Sequence, residues 1–143
     1  MPSTLICIDS SVFIPALQET DPDSLWLVNT IGEDITVVIP RLIVQEVNRN
    51  LITPGQVRRF NRLFALSDFA YVVDEPIPLN LVEKYVGLGL PVKGDAFIGA
   101  FVEWMDIPYL VSANRHFLRD LQVESYLVLD PSQFRTRYQS DAL

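Results

Sequence analysis

The chain of 143 residues contains a single cysteine and a single histidine. Cys7 lies inside an apolar run and has no second cysteine to pair with, which excludes an internal disulfide and suits a reducing cytosol. The chain also lacks a phosphate-cradling P-loop and a nucleophile-elbow serine motif. These absences argue against nucleotide hydrolysis on a P-loop and against covalent catalysis by a serine.

Basic residues are scarce relative to acidic ones. The sequence has 11 Lys and Arg against 18 Asp and Glu, and its formal net charge is −7. This balance argues against a protein that binds nucleic acid through a broad basic surface, so any contact with RNA must be local. Part of the acidic surplus can be functional, because carboxylates that bind a divalent cation are neutralised once the cation arrives.

Long apolar runs are also missing. No run approaches the ~20 residues that span a bilayer, and the N-terminus lacks the basic and then apolar pattern of a signal peptide. We therefore expect a soluble, cytoplasmic protein with no membrane association. Hydrophobic residues make up 49% of the chain and charged residues 20%, which is typical of a compact globular protein, and the length predicts one domain over residues 1–143.

The chain alternates between short apolar, β-branched runs and amphipathic segments. This order predicts an α/β fold with a mainly parallel sheet. The predicted strands cover residues 4–8, 35–39, 69–73, 109–112 and 126–129. The predicted helices cover residues 12–17, 22–31, 41–51, 54–66, 79–88, 95–105 and 114–121. The tail, residues 131–143, is polar and carries no predicted element.

Four oxygen-bearing side chains stand at comparable places in this pattern. Asp9 ends the first strand, Glu46 lies on the helix after the second strand, Asp95 begins the most apolar helix, and Asn114 follows the fourth strand. Since parallel strands end at one edge of a sheet, these groups could converge on a single crevice. Hard oxygen ligands of this kind suit Mg²⁺ or Mn²⁺, and such a cluster serves metal-assisted hydrolysis of phosphodiesters.

Four segments then show a resemblance to a known family. They are residues 5–14 (LICIDSSVFI), 43–47 (IVQEV), 93–100 (KGDAFIGA) and 110–117 (LVSANRHF). In this order and spacing the sequence resembles the PIN-domain nucleases, and especially the small VapC-type toxins. The resemblance implies a three-layer α/β/α sandwich with a central, mainly parallel sheet, and an endoribonuclease that depends on Mg²⁺ or Mn²⁺. It also implies an antitoxin partner and a homodimer.

By motif match, the resemblance makes Asp9, Glu46 and Asp95 the catalytic, metal-binding acids, with Asn114 completing the site. Many family members carry an aspartate where this chain has Asn114, which offers a carbonyl oxygen without charge. A second metal ion would therefore be held more weakly. The expected substrate contacts come from small polar and basic residues near the crevice: Ser10, Ser11, Lys93, Ser112 and Arg115.

Each of the four residues also has a purely structural interpretation. Asp9 and Asn114 can cap the helices that follow them, Asp95 is favoured at a helix N-terminus by the macrodipole, and Glu46 can be a solvated helix acid. The alternative function is a degenerate PIN module that binds RNA or a protein partner without catalysis. A phospho-receiver domain shares the size and acidity, but the chain lacks the paired acids near the first strand and the late lysine that such a domain needs.

Overall fold

The computed structural model of the protein describes residues 3–32, 34–66, 68–91 and 94–143. The described strands are β1 (Thr4–Ile8), β2 (Ile35–Pro40), β3 (Ala70–Val73), β4 (Tyr109–Val111) and β5 (Leu127–Leu129). The described α-helices are α1 (Ser10–Leu17), α2 (Pro22–Thr30), α3 (Arg41–Asn50), α4 (Pro54–Leu66), α5 (Leu79–Gly87), α6 (Asp95–Trp104) and α7 (Pro131–Gln139). A single π-helical turn, His116–Asp120, lies between β4 and β5.

The five strands form one sheet in the order β3-β2-β1-β4-β5, and every pair of neighbours is parallel. This confirms the predicted parallel sheet. β1 is the central strand, and its last three residues, 6–8, are fully buried. A strand covered on both faces carries a continuous apolar run instead of an alternating one, which is why β1 could be recognised in the sequence.

Helices pack on the sheet and complete the three-layer α/β/α sandwich. On α1, Phe13 meets the ring of Phe60 from α4 edge to face, with the ring centroids 5.1 Å apart. On α6, Gly99 allows a close approach to α5: a Cβ atom at this position would lie 2.6 Å from the Tyr85 ring. α6, the helix that begins with Asp95, therefore packs closely against α5 at Gly99.

Two parts of the C-terminal region differ from the sequence-based expectation. The predicted helix over residues 114–121 is a π-helical turn, in which the Leu121 amide donates to the His116 carbonyl oxygen at 3.1 Å. The tail forms helix α7, which begins with a capping box between Asp130 and Gln133. This stretch contains too few apolar residues to show a clear helical periodicity, although the sequence does contain the capping residues.

Within the described part of the chain, no helix has the length and apolar character that crossing a membrane requires.

Candidate active site

Asp9 lies where β1 passes into α1, at the carboxyl edge of the sheet. Its side chain is 3% exposed, and its backbone amide donates to the Val111 carbonyl oxygen of β4 at 3.2 Å. The carboxylate caps α1 by accepting a hydrogen bond from the Ser11 amide at 3.1 Å. The capping interpretation of Asp9 is thus correct, and it is compatible with a second role at the same carboxylate.

Two serine hydroxyls fix the carboxylate of Asp9. Ser11 Oγ donates to Oδ1 at 2.5 Å, and Ser112 Oγ donates to Oδ2 at 2.6 Å. These two hydroxyls also accept backbone hydrogen bonds, Ser11 Oγ from the Ala113 amide and Ser112 Oγ from the Asn114 amide, each at 2.9 Å. The loop after β4 is therefore fastened to the first turn of α1 through the serines around Asp9.

Burial raises the pKa of Asp9 from 3.8 to about 6. Removal from water disfavours the charged carboxylate, and the negative charge of Asp95 raises the pKa further. The hydrogen bonds from Ser11 and Ser112 act in the opposite direction because they favour the charged form. A cation near Asp9 would relieve the cost that burial and the second carboxylate impose.

Asp95 is the first residue of α6, and Asn114 stands against it. Asn114 Nδ2 lies 3.3 Å from each of the two carboxylate oxygens of Asp95. Asn114 Oδ1 accepts a hydrogen bond from the His116 amide at 3.0 Å, so this residue also supports the start of the π-helical turn. The structure thus brings Asn114 and Asp95 together, with the amide nitrogen of Asn114 facing the carboxylate.

Glu46 joins the site from α3. Ser10 Oγ donates a hydrogen bond of 2.8 Å to Glu46 Oε2. The other oxygen, Oε1, lies so close to Gly94 that a Cβ atom there would be 3.2 Å away. Glu46 is therefore held between the first residue of α1 and the residue that precedes Asp95.

Two predicted site residues remain, Arg115 and Lys93. Arg115 is exposed and adjoins Asn114 in the chain, which leaves its side chain accessible to a ligand. Lys93 lies outside the described residues. His116 is half-exposed, and its Nδ1 lies 3.3 Å from Asp120 Oδ2.

Gly94 is the site residue that the sequence reasoning missed. The sequence showed it only as the residue before α6, and nothing in the chain's pattern indicated that it faces Glu46. The contact joins residues on two separate helices, so it depends on how α3 and α6 are placed on the sheet.

A divalent cation is the group that this set of donors would suit. Carboxylate oxygens are hard ligands, and the raised pKa of Asp9 indicates negative charge that water does not compensate. Among residues 3–32, 34–66, 68–91 and 94–143, however, no three His, Cys, Asp or Glu side chains are close enough together to hold a metal ion as they stand. The chemistry of the donors fits a metal, and binding would require these side chains to draw closer.

Comparison with known proteins shows the family and the fold. The family model of the PIN domain matches residues 6–120, which is most of the chain. A search of curated protein sequences gave no match. Several solved structures are similar in fold, and the three described next are each less than 25% identical in sequence.

The first is a toxin–antitoxin complex from Klebsiella pneumoniae, with a TM-score of 0.61 and 18% identity over 90% of this chain and 98% of that chain. The second is VapBC2 from Rickettsia felis bound to a DNA fragment from its promoter, with a TM-score of 0.57 and 13% identity over 89% and 98% of the two chains. The third is VapC20 from Mycobacterium tuberculosis, described as a toxin that cleaves the sarcin–ricin loop, with a TM-score of 0.55 and 15% identity over 82% and 98%.

The match to the family model extends from β1 to the end of the π-helical turn, and so includes all four residues of the candidate site. The chain belongs to the PIN-domain family.

Proposed function

We propose that the protein is a divalent-metal-dependent endoribonuclease in which Asp9, Glu46 and Asp95 hold Mg²⁺ or Mn²⁺. The observation that carries the proposal is the buried Asp9 carboxylate, fixed by two hydroxyls at the carboxyl edge of a parallel sheet and close enough to Asp95 to feel its charge. A buried carboxylate beside a second one is costly without a compensating cation. Membership of the PIN-domain family supports hydrolysis of a nucleic acid as the use of that cation.

A bound divalent ion would supply a deprotonated water and neutralise charge on the scissile phosphate. The chain's own residues prepare the site for it. Ser11 and Ser112 donate to both oxygens of Asp9, and Ser10 donates to Glu46, so these two carboxylates are already restricted in how they can turn before an ion binds. Because these hydroxyls already donate to the acids, we propose a positioning role for all three serines in place of direct contact with the substrate.

Contact with the RNA backbone would come from a small number of basic side chains. Arg115 is exposed next to Asn114, and we propose it as a phosphate contact, with Lys93 as the second. A small number of local contacts agrees with the formal net charge of −7, which argues against binding through a broad basic surface. RNA as the substrate is supported by a similar structure described as a toxin that cleaves the sarcin–ricin loop.

We further propose that this nuclease is the toxin of a type II toxin–antitoxin pair, acting in the cytoplasm and forming a homodimer. Two of the similar structures are described as a toxin–antitoxin complex and as VapBC2. In this chain, exposed apolar side chains such as Ile52 and Leu79, which are 81% and 70% exposed, are compatible with further protein contacts.

The second candidate function is a PIN module that binds RNA or a protein partner without hydrolysis. Two observations favour it: Asn114 provides no charge at the fourth position, and the described acids do not form a three-ligand group as they stand. The two candidates differ in whether the site binds a metal ion at all.

Metal binding and RNA cleavage by the purified chain separate them. We expect Mn²⁺ binding by titration calorimetry, cleavage of single-stranded and structured RNA in Mn²⁺ or Mg²⁺, and no cleavage in EDTA. Asp9→Asn and Asp95→Asn should lose cleavage by at least about 100-fold, whereas Glu124→Gln, at an exposed acid on the chain, should retain it. Metal-dependent cleavage by folded Asp9→Asn would contradict the assignment, and no Mn²⁺ binding at millimolar concentration would favour the inactive module.

A further inference from the structure

We propose that Asn114 is a positioning residue, which holds Asp95 by donating hydrogen bonds to it, and that it is not a ligand of the metal ion. The site would then bind one divalent ion per chain, through three carboxylates. This inference rests on the proposed function for its metal and on the observed hydrogen bonds for the role of Asn114.

The orientation of the Asn114 amide is set by its two neighbours. Nδ2 lies 3.3 Å from both oxygens of Asp95, which can only accept, and Oδ1 lies 3.0 Å from the His116 amide, which can only donate. Turning the amide by 180° would place an oxygen against the carboxylate and an N–H group against an N–H group. Both contacts would be repulsive, so the surroundings select the orientation in which nitrogen faces Asp95.

The backbone of Asn114 adds to this constraint. Its amide donates to Ser112 Oγ at 2.9 Å, and its carbonyl oxygen accepts from the amides of Phe117 and Leu118, each at 3.1 Å. The residue is thus anchored on the side of Asp9 and on the side of the π-helical turn. To bind an ion beside Asp95, Oδ1 would have to turn away from the His116 amide and towards Asp95. That rotation would break the hydrogen bond with His116 and place the amide oxygen beside the carboxylate of Asp95.

The amide of Asn114 makes the site less negatively charged than a carboxylate at the same position would. Asp9 and Asp95 already repel each other, and a fourth carboxylate in place of Asn114 would add a charge within contact distance of Asp95. The amide instead places a partial positive charge there. Three carboxylates neutralise one divalent ion and leave a single negative charge, which is too little to compensate a second divalent ion.

Exchanging the amide of Asn114 and the carboxylate of Asp95 tests, in the absence of metal, whether Asn114 acts as a hydrogen-bond donor to Asp95. Asn114→Asp keeps an oxygen for the His116 amide and replaces the nitrogen that faces Asp95 by a second carboxylate oxygen. In EDTA at pH 7.5 we expect the Tm of this variant to fall by about 2–6 °C. The double variant Asp95→Asn with Asn114→Asp restores an amide opposite a carboxylate with reversed polarity, and we expect it to recover at least about half of that loss.

Asn80→Asp is the matched control because it makes the same chemical change at an exposed position on α5. Its Tm should stay within about 1 °C of the wild type. If Asn114→Asp leaves the Tm unchanged in EDTA, or if the double variant recovers nothing, Asn114 does not hold Asp95 as a donor and the proposal is overturned.

Calorimetry with Mn²⁺ tests whether Asn114 is a metal ligand and how many ions bind per chain. The wild type should bind one Mn²⁺ per chain, and Asn114→Ala should keep that stoichiometry with an affinity reduced by less than about 10-fold. Loss of Mn²⁺ binding by Asn114→Ala, with an unchanged Tm in EDTA, would identify Asn114 as a ligand. If the wild type binds no Mn²⁺, the proposed nuclease function fails, while the exchange experiment in EDTA still decides whether Asn114 positions Asp95.

Discussion

Ser112 Oγ donates a hydrogen bond of 2.6 Å to Oδ2 of Asp9, a residue 103 positions earlier in the chain. The contact is possible because β1 and β4 are adjacent parallel strands, paired through Ile8 and Val111, so both residues extend from the same edge of the sheet. Ser112 is fully buried and Asp9 almost so. Hydrogen bonds to a buried carboxylate are worth more than those at the surface, which makes this pair a point where stability and site geometry are linked.

Removing the Ser112 hydroxyl should therefore destabilise the protein. Ser112→Ala leaves Asp9 Oδ2 without this donor and the Asn114 amide without its acceptor. We expect the free energy of unfolding to fall by about 1–3 kcal/mol in urea titrations without metal. Ser132→Ala, at an exposed serine on α7, should change it by less than about 0.5 kcal/mol. Equal stability of the two variants would show that the Ser112 hydroxyl does not support Asp9.

Asp9→Asn should show how the buried charge affects stability as the pH changes. The pKa of Asp9 is raised to about 6 by burial and by Asp95, so between pH 4 and pH 6 the folded protein binds more protons than the unfolded chain. Wild-type stability contributed by Asp9 is therefore present below about pH 4 and is lost as the pH rises through 6. A shift of this size corresponds to about 3 kcal/mol at most.

The measurement is the Tm of both proteins in EDTA across this range. We expect the difference in Tm, Asp9→Asn minus wild type, to rise by about 4–8 °C between pH 4 and pH 7. Subtracting the two curves removes the contribution of the other acids, which both proteins share. A difference that stays constant with pH would mean that the pKa of Asp9 is not raised in the folded protein.

Replacing Gly99 should affect stability through the packing of α6, the helix that begins with Asp95. A Cβ atom there would lie 2.6 Å and 2.9 Å from two atoms of the buried Tyr85 ring. Gly99→Ala should force α5 and α6 apart and lower the free energy of unfolding by about 1–3 kcal/mol, measured in urea. Gly55→Ala, on α4, has its nearest atom 3.9 Å away and should be neutral or slightly stabilising. A neutral Gly99→Ala would show that the α5–α6 contact can widen without cost.

The sequence predicted the elements that burial defines. β1 is a continuous apolar run because both of its faces are covered, and the polar residue that ends the run, Asp9, lies where the sheet ends. The same reasoning placed Asp95 at the start of α6. The π-helical turn could not be predicted, because its hydrogen bond from the Leu121 amide to the His116 carbonyl oxygen follows from how the loop is anchored.

The side-chain geometry of the site could not be predicted from the sequence, for a different reason. Asn114 was predicted to complete the site, but which of its amide atoms faces Asp95 depends on the His116 amide on its other side. The proximity of Gly94 to Glu46 likewise depends on the packing of α3 and α6. These relationships decide what each residue can bind, and they arise only when separate elements meet.

The approach of Gly94 to Glu46 gives the final prediction. Gly94 has φ −105°, a value open to alanine, so the main effect of Gly94→Ala is a Cβ atom 3.2 Å from Glu46 Oε1, which displaces that carboxylate by a few tenths of an ångström. If Glu46 binds the ion, Mn²⁺ affinity should fall by about 3–10-fold in calorimetry, since a misplaced ligand binds more weakly. Gly87→Ala, where a Cβ atom meets nothing within 4 Å, should bind Mn²⁺ as the wild type does. In a Glu46→Ala background, Gly94→Ala should have no further effect, because the displaced carboxylate is gone; an equal loss in both backgrounds would show that Gly94 acts on the site through another residue.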